Sequence, residues 1–119
     1  DLNIELDFDS KIKLNAKMKI EEDLEREALL DLWISTDGPN WDQNCNVDCW
    51  NSSSSFCGWF GVVCLDNETS VYQLNLVNNN LLGFIPSSIS NLKNINYLDF
   101  SRNQLNGEIP PSLGNLIHL

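Results

Sequence analysis

The chain lacks the residue patterns on which most catalysis and membrane insertion depend. Its 119 residues include one histidine, and no glycine-rich phosphate loop, Gly-x-Ser-x-Gly or His-Glu-x-x-His motif occurs. No run of about 18 apolar residues, the length needed to cross a bilayer, is present. We therefore expect a protein that is not an enzyme and that uses no metal or cofactor.

Basic residues are also scarce, with seven lysines and arginines against seventeen acidic residues and a net charge of -10. The excess is uneven: residues 1–69 hold fifteen acids and five bases, whereas residues 70–119 hold two of each. Nucleic-acid phosphates and anionic lipid heads repel such a chain. Neither is an expected partner, whereas a basic partner is tolerated.

Cysteine is confined to one short segment, at Cys45, Cys49, Cys57 and Cys64. An even number packed so closely favours two disulfides and an oxidising compartment. A zinc site is the alternative. Zinc ligands usually form two pairs with about two to four residues between partners, whereas three, seven and six residues separate the successive cysteines here. The spacing favours disulfides.

Two glycosylation acceptors lie in or next to the cysteine segment, at Asn51-Ser-Ser and Asn67-Glu-Thr. Together with the cysteines they predict an extracellular or cell-surface protein that passes through the secretory pathway. The first residues lack the basic region and apolar core of a secretion signal, so we expect that any such signal was removed or lies outside this sequence.

Residues 1–20 alternate between apolar and polar side chains, which is typical of a β-strand. Folded antiparallel about Ser10, the two arms would oppose Asp7 to Lys13. The turn lacks Gly or Asn-Gly, which weakens a hairpin. A β-hairpin and a loosely ordered leader are both open for this segment.

From Glu21 the apolar spacing becomes helical, and we expect a helix through Ser35. Gly38 and Pro39 supply its stop. The expected apolar face comprises Leu24, Ala28, Leu29 and Leu32, with Glu22, Glu25 and Arg26 on the other side.

Four tryptophans accompany the helix and the cysteines. Trp33 lies on the helix, and Trp41, Trp50 and Trp59 lie among the cysteines. A small disulfide-linked unit needs large apolar side chains to bury, so we predict a core role. Carbohydrate stacking is the alternative.

The stretch LNLVNNNLLGFIP, which begins at Leu74, recurs 24 residues later as LDFSRNQLNGEIP, which begins at Leu98. A period of this size predicts a leucine-rich-repeat solenoid, in which apolar residues at fixed offsets stack into one core. We expect short parallel strands around each leucine on a concave face, and a third repeat that begins at Leu119. Asn79 and Asn103 should form an asparagine ladder that satisfies buried backbone groups.

The positions that vary between the repeats point outward from the strands or lie beside them. Solenoids bind partners on such surfaces, and aromatic residues and arginine dominate binding energy, which favours Tyr97, Asp99 and Arg102. The candidate ligand-binding residues are Tyr72, Gln73, Asn75, Val77, Asn78, Asn96, Tyr97, Asp99, Ser101 and Arg102.

The pattern LxxLxLxxNxLxGxIPxx, carried by residues 71–88 and 95–112, resembles the repeat of plant-type extracellular leucine-rich-repeat proteins. Residues 26–30, 37–41 and 57–64 are similar to the N-terminal cap of receptor-like proteins and receptor-like kinases. Many plant caps also carry adjacent cysteines further upstream, which this chain lacks.

The resemblance implies an α/β fold, a solenoid with short parallel strands on its concave face and a helical, disulfide-bonded N-terminal cap. It implies a bond between Cys57 and Cys64, which leaves Cys45 with Cys49. The expected organisation is a leader over residues 1–20, the cap over 21–69, and two 24-residue repeats with the start of a third over 70–119.

The function implied by the resemblance is recognition. The chain would be the N-terminal part of a membrane-anchored receptor ectodomain that binds a protein or peptide ligand, or a co-receptor, and takes part in signalling. One alternative is a secreted inhibitor of a foreign enzyme, similar to the polygalacturonase-inhibiting proteins. Another is the ectodomain of a receptor kinase whose catalytic domain lies outside this chain.

Overall fold

The computed structural model describes residues 5–65 and 70–115. One long helix, α1 (Phe8–Ser35), occupies the N-terminal part. Asp7 caps it, because its carboxylate accepts a hydrogen bond from the Ser10 backbone N–H at 2.7 Å. At the other end the Thr36 backbone N–H donates to the Leu32 carbonyl oxygen at 3.1 Å. No described helix is long and apolar enough to cross a membrane.

Neither alternative left open for residues 1–20, a β-hairpin or a loosely ordered leader, describes residues 8–20, which are helical; residues 1–4 lie outside the described residues. Four physical reasons favour the helix. Ser10 offers no hairpin turn chemistry, Asp7 supplies a helix cap, and Lys, Ala, Leu and Met all have high helix propensity. Continuity with the packed part of α1 removes the cost of a new helix nucleus.

Five strands follow within the described residues: β1 (Val62–Cys64), β2 (Val71–Asn75), β3 (Leu82–Gly83), β4 (Tyr97–Asp99) and β5 (Gln104–Leu105). β2 lies between β1, to which it is antiparallel, and β4, to which it is parallel. Leu74 pairs with Leu98, as the repeat predicts. A second, two-stranded sheet pairs β3 with β5 in parallel.

The return segment of each repeat is a short 3-10 helix, Ser87–Asn91 in the first and Pro111–Asn115 in the second. Two further 3-10 turns, Gly38–Asn40 and Phe56–Gly58, lie between α1 and β1. The two repeats therefore have the same order of elements and lie beside each other. The paired residues of β2 and β4 and the two 3-10 helices are 24 residues apart, and the paired residues of β3 and β5 are 22 apart.

The core is centred on the first repeat. Its apolar side chains are fully buried, and they are Val71, Leu74, Leu76, Leu81, Ile89 and Leu92. Ala28, Leu29 and Leu32 of α1 belong to the same cluster. In the second repeat the matching Leu98, Phe100 and Leu105 are only partly buried. The first repeat is covered from both sides, by the cap and by the second repeat.

Gly83 allows the end of α1 to lie against β3. Its φ is +135°, and a Cβ there would collide with the Ser35 carbonyl oxygen. On either side, the Leu82 backbone N–H donates to the Thr36 carbonyl at 3.1 Å and the Phe84 N–H donates to the Ser35 carbonyl at 3.3 Å. The helix end thereby extends the edge of this sheet and ties the cap to the repeats.

Candidate binding surface and its supporting cap

The ten candidate residues all lie on β2 and β4, beside them, or in the turns that follow. Neighbouring repeats bring equivalent positions together, because Gln73 pairs with Tyr97 and Asn75 pairs with Asp99 in the parallel register. Asn96 donates from Nδ2 to the Tyr72 hydroxyl at 2.9 Å. The exposed members are Asn75, Asn78, Asn96, Tyr97, Ser101 and Arg102, and the partly buried ones are Tyr72, Gln73, Val77 and Asp99.

Asp99 is the centre of a small hydrogen-bonded cluster. Its Oδ1 accepts from the Ser101 backbone N–H at 2.9 Å and from the Ser101 hydroxyl at 2.7 Å, and its Oδ2 accepts from the Tyr97 hydroxyl at 3.1 Å. The bonds from Ser101 lower the pKa of Asp99, and the bond to Asp99 raises the pKa of Tyr97. At neutral pH the cluster therefore presents a carboxylate and a neutral phenol.

The first repeat contains the same turn, but with a neutral side chain in place of the carboxylate. Asn75 takes the place of Asp99, and its Oδ1 accepts from the Val77 backbone N–H at 3.2 Å. An Asn or Asp side chain that bonds a backbone N–H two residues later holds the turn. Asn75 and Asp99 are therefore each held in place by their own turn.

Arg102 lies at the end of this surface. The backbone of Arg102 is left-handed, with φ of 60°, as is that of its counterpart Asn78, with φ of 52°. Within residues 5–65 and 70–115 the Arg102 side chain has no ion pair or hydrogen bond and is exposed. Its charge is available to a partner.

The asparagine ladder lies behind the surface. Asn103 accepts on Oδ1 from the Asn79 backbone N–H at 3.0 Å and from the Leu81 N–H at 2.9 Å, and its Nδ2 donates to the Leu76 carbonyl at 2.8 Å. Asn79, which is 2% exposed, makes the equivalent pair of bonds to Gln43: it accepts from the Gln43 N–H and donates to the Gln43 carbonyl, both at 2.7 Å. The cap thus supplies the first rung.

The tryptophans form the core of the cap. Ring centroids are 4.8 Å apart for Trp41 and Trp50, and 5.2 Å apart for Trp50 and Trp59. These three side chains are 6%, 3% and 0% exposed, so the predicted core role is confirmed and a stacking sugar has no access to them. The guanidinium of Arg26 lies 5.4 Å from the Trp59 ring centroid and 5.6 Å from that of Phe56.

Both disulfides are present, and they pair Cys57 with Cys64 and Cys45 with Cys49. These are the expected pairings, and they involve all four cysteines. No group of three or more His, Cys, Asp or Glu side chains in the described part of the chain is placed to hold a metal ion. Asn51 is exposed, and Asn67 lies outside the described residues.

Glu25 is a buried residue that the sequence analysis missed. It was placed on the polar side of the helix, with Leu24 on the apolar side, and both assignments are wrong: Glu25 is 4% exposed and Leu24 is 40% exposed. The Glu25 carboxylate accepts one hydrogen bond from the Val71 backbone N–H at 2.7 Å and another from the Ser70 hydroxyl at 3.0 Å. Burial raises its pKa, and these bonds partly oppose the rise.

The helical spacing of the sequence indicates that Glu25 lies on the buried side of α1. It precedes Ala28 by three residues, Leu29 by four and Leu32 by seven, which is the spacing of one helix face. Its charge led to assignment to the solvent side, because carboxylates are seldom fully buried. The hydrogen bond from the Val71 backbone N–H, at the start of β2, compensates for the burial of the Glu25 carboxylate.

The comparisons with known proteins agree with this architecture. Residues 70–92 and 94–116 match the family described as Leucine Rich Repeat. These segments are leucine-rich repeats, and they have the stacked parallel strands described above.

Similarity extends beyond the repeats to plant receptor-like proteins. The chain is 43% identical over 77 residues to Receptor-like protein 36 of Arabidopsis thaliana, which covers 65% of this chain and 9% of that protein. The chain therefore spans a small part of the length of this relative.

Solved structures show the same likeness. The crystal structure of PEPR1-AtPEP1 superposes with a TM-score of 0.61 at 29% identity, over 77% of this chain and 13% of that one. The BIR3 - SERK2 complex from Arabidopsis thaliana gives a TM-score of 0.51 at 35% identity, over 58% of this chain and 38% of that one.

Proposed function

We propose that the chain is a non-catalytic, extracellular recognition module, the N-terminal part of the ectodomain of a membrane-anchored receptor-like protein. In this proposal β2, β4 and the turns after them form the concave face of a solenoid. A protein or peptide ligand, or a co-receptor, binds there and contributes to signalling.

The observation that carries the proposal is the contrast between the two sides of the strands. Leu74 and Leu76 are fully buried, whereas Tyr97, at 43% exposure, and Arg102 point to the outside with polar neighbours held in place. Fixed side chains lose little conformational entropy when a partner binds, which favours affinity. Aromatic residues and arginine are also the usual sources of binding energy.

A peptide ligand that carries an acidic side chain and a hydrogen-bond donor or basic group suits this surface. The Asp99 carboxylate retains acceptor capacity beyond its bonds to Ser101 and Tyr97, and Arg102 supplies five N–H donors that bond to none of the described residues. An acidic side chain on the ligand would pair with Arg102, and a donor group would pair with Asp99. Tyr97 precedes both residues in sequence, and its hydroxyl is held by Asp99.

The likeness to receptor-like proteins and to structures that pair two proteins supports this proposal. The two disulfides also fit an oxidising, extracellular location. Exposure of Asn51 suits a glycan there.

The test is to select binders from a displayed random-peptide library with the disulfide-bonded chain and to measure their affinities by surface plasmon resonance. Arg102→Ala and Tyr97→Ala should each weaken a selected binder by about tenfold or more. Glu108→Ala, an exposed change in the second repeat but off the strands, should have no effect. Equal affinity for all three variants would contradict the assignment of the surface.

A further inference from the structure

A cleft lies between α1 and the segment that joins the 3-10 helix Ser87–Asn91 to β4. Its volume is about 380 Å³, at the small end of the range of about 300–1,000 Å³ that small-molecule sites occupy. The residues that line it are Glu21, Leu24 and Glu25 from α1, and Asn91, Lys93 and Asn94 from the junction of the two repeats. None of these six belongs to the candidate binding surface described above.

The α1 side of the cleft is acidic with one apolar side chain. Glu21, Leu24 and Glu25 are three and four residues apart, so they lie on one side of the helix. Leu24 is 40% exposed, and its apolar surface is open to the cleft. Burial raises the pKa of Glu25, and the negative charge of Glu21 raises it further. This side of the cleft therefore attracts a positive group.

Hydrogen bonds fix the polar groups between the two sides of the cleft. Asn94 donates from Nδ2 to the Ser70 hydroxyl oxygen at 2.9 Å, and the Ser70 hydroxyl donates to the Glu25 carboxylate at 3.0 Å. The Val71 backbone N–H holds the same carboxylate at 2.7 Å. Polar groups that are already held in place lose little conformational entropy when a ligand binds.

Opposite charges line the cleft without pairing with each other. Glu21 lies on the α1 side and Lys93 on the repeat side, and both are exposed. Within residues 5–65 and 70–115 the one ion pair joins Lys19 to Asp23. The cleft therefore offers a carboxylate and an ammonium group to a molecule that lies between them.

These charges select the ligand. A purely cationic molecule would meet Lys93, and a purely anionic one would meet Glu21 and Glu25; contacts between like charges disfavour both. A molecule that carries one charge of each sign pairs with both sides of the cleft. Its aliphatic part would cover the exposed surface of Leu24, which is favourable because apolar area is removed from water.

We propose that this cleft binds a small zwitterion of the amino-acid type. Its ammonium group lies towards Glu21 and Glu25, its carboxylate lies towards Lys93, and its apolar side chain contacts Leu24. A free apolar amino acid and a dipeptide share this chemistry. The site is separate from the peptide-binding surface proposed above, and neither depends on the other.

The test is an NMR titration of the whole ¹⁵N-labelled, disulfide-bonded chain with three matched compounds. L-leucine carries both charges, L-leucinamide lacks the carboxylate, and N-acetyl-L-leucine lacks the ammonium group. L-leucine should shift the backbone amides of Lys93 and Asn94 to saturation and leave that of Arg102 unchanged. Each analogue should bind about tenfold or more weakly, because it lacks one charge-assisted contact. Leucyl-leucine, titrated in parallel, identifies a dipeptide as the better ligand if it binds more tightly than L-leucine, and the free amino acid if it binds less tightly.

Two substitutions test the direction in which the ligand lies. Lys93→Gln should weaken L-leucine by about tenfold and remove its advantage over L-leucinamide, because the carboxylate then has no partner. Glu21→Gln should instead reduce the advantage of L-leucine over N-acetyl-L-leucine. A purely structural effect would weaken all three compounds alike.

The controls make the same charge changes away from the cleft. Lys11→Gln on α1 and Glu108→Gln in the second repeat both alter exposed residues, and both should bind like the wild type. Far-UV circular dichroism should show the same helix content in all variants. Three results would each overturn the proposal: no saturable shift with L-leucine or leucyl-leucine, equal affinity for L-leucine and its two analogues, or discrimination that Lys93→Gln and Glu21→Gln leave unchanged.

Discussion

The carboxylate of Glu25 lies 2.7 Å from the Val71 backbone nitrogen, from which it accepts a hydrogen bond. It joins the cap helix to the first residue of the first repeat strand. In the second repeat, Asn94 donates to the Ser70 hydroxyl at 2.9 Å. Glu25, Ser70 and Asn94 thus form a polar connection from the cap through the first repeat to the second.

The first prediction concerns the pH dependence of stability. The pKa of Glu25 is raised in the folded protein, so between its unfolded and folded pKa values the folded chain binds more protons. The free energy of unfolding from this group therefore falls as pH rises through that interval, and is highest below it. Urea unfolding across mildly acidic pH should show this contribution, and Glu25→Gln should remove it.

The matched control is Glu108→Gln, the same change at an exposed glutamate of the second repeat. It should leave the pH dependence as in the wild type. Glu25→Ala should be more damaging than Glu25→Gln, because it leaves the Val71 N–H buried without a partner, at about 1–3 kcal/mol. Identical pH profiles for Glu25→Gln and the wild type would contradict this role.

The contribution of Asp99 to the free energy of unfolding should depend on pH in the opposite direction. Its pKa is lowered, so its contribution is present above the unfolded pKa and is lost as pH falls through the folded one. Titration of the Asp99 carboxyl carbon by NMR should give a pKa below the usual aspartate value. Ser101→Ala should move it upward, and Ser112→Ala should not; a pKa of Asp99 unaffected by Ser101→Ala would be the contrary result.

Removal of the ladder should destabilise both repeats at their junction. Asn103→Ala leaves the Asn79 and Leu81 backbone N–H groups without their shared acceptor, and we expect a loss of roughly 2–4 kcal/mol in the free energy of unfolding. Gln104→Ala is the neighbouring control, because Gln104 is exposed. Denaturant unfolding of the three proteins provides the comparison, and a loss no larger than that of the control would refute the role of Asn103.

Gly83→Ala should separate the end of α1 from β3. The new Cβ would overlap the Ser35 carbonyl oxygen, and the backbone there has φ of +135°. We expect destabilisation of about 1–3 kcal/mol and faster hydrogen exchange at the Leu82 and Phe84 amides. Gly114→Ala, where a Cβ meets nothing within 4 Å, is the control, and equal exchange in the two variants would speak against this contact.

The repeat could be predicted from the sequence because the same physical need recurs. Each copy must place an apolar side chain in the shared core and must satisfy backbone groups at the same turn, so Leu74 and Leu98 or Asn79 and Asn103 recur at one offset. The period therefore predicts parallel neighbours, and the structure pairs these leucines. The partner of the first asparagine, Gln43, could not be predicted, since it lies in the cap and outside the period.

The structure of the N-terminal segment could not be predicted from its pattern, because nothing in the pattern shows whether a sheet is present to receive it. Apolar residues at every second position over residues 2–20 favour a strand only if a sheet is there to bury one side. No described strand lies beside this segment. The segment is instead the N-terminal part of α1, which Asp7 caps and in which Lys19 pairs with Asp23 at 3.4 Å.

The central claim, that the two repeats stack as parallel neighbours beneath the candidate surface, is tested most directly by NMR of the labelled chain. The Leu76 N–H donates to the Asp99 carbonyl at 2.9 Å, and the Asn78 N–H donates to the Ser101 carbonyl at 3.0 Å. Through-hydrogen-bond couplings should therefore connect the Leu76 amide nitrogen with the Asp99 carbonyl carbon and the Asn78 amide nitrogen with the Ser101 carbonyl carbon, and both amides should exchange slowly. Rapid exchange at Leu76 and Asn78, with neither coupling detected in a folded sample, would contradict the account.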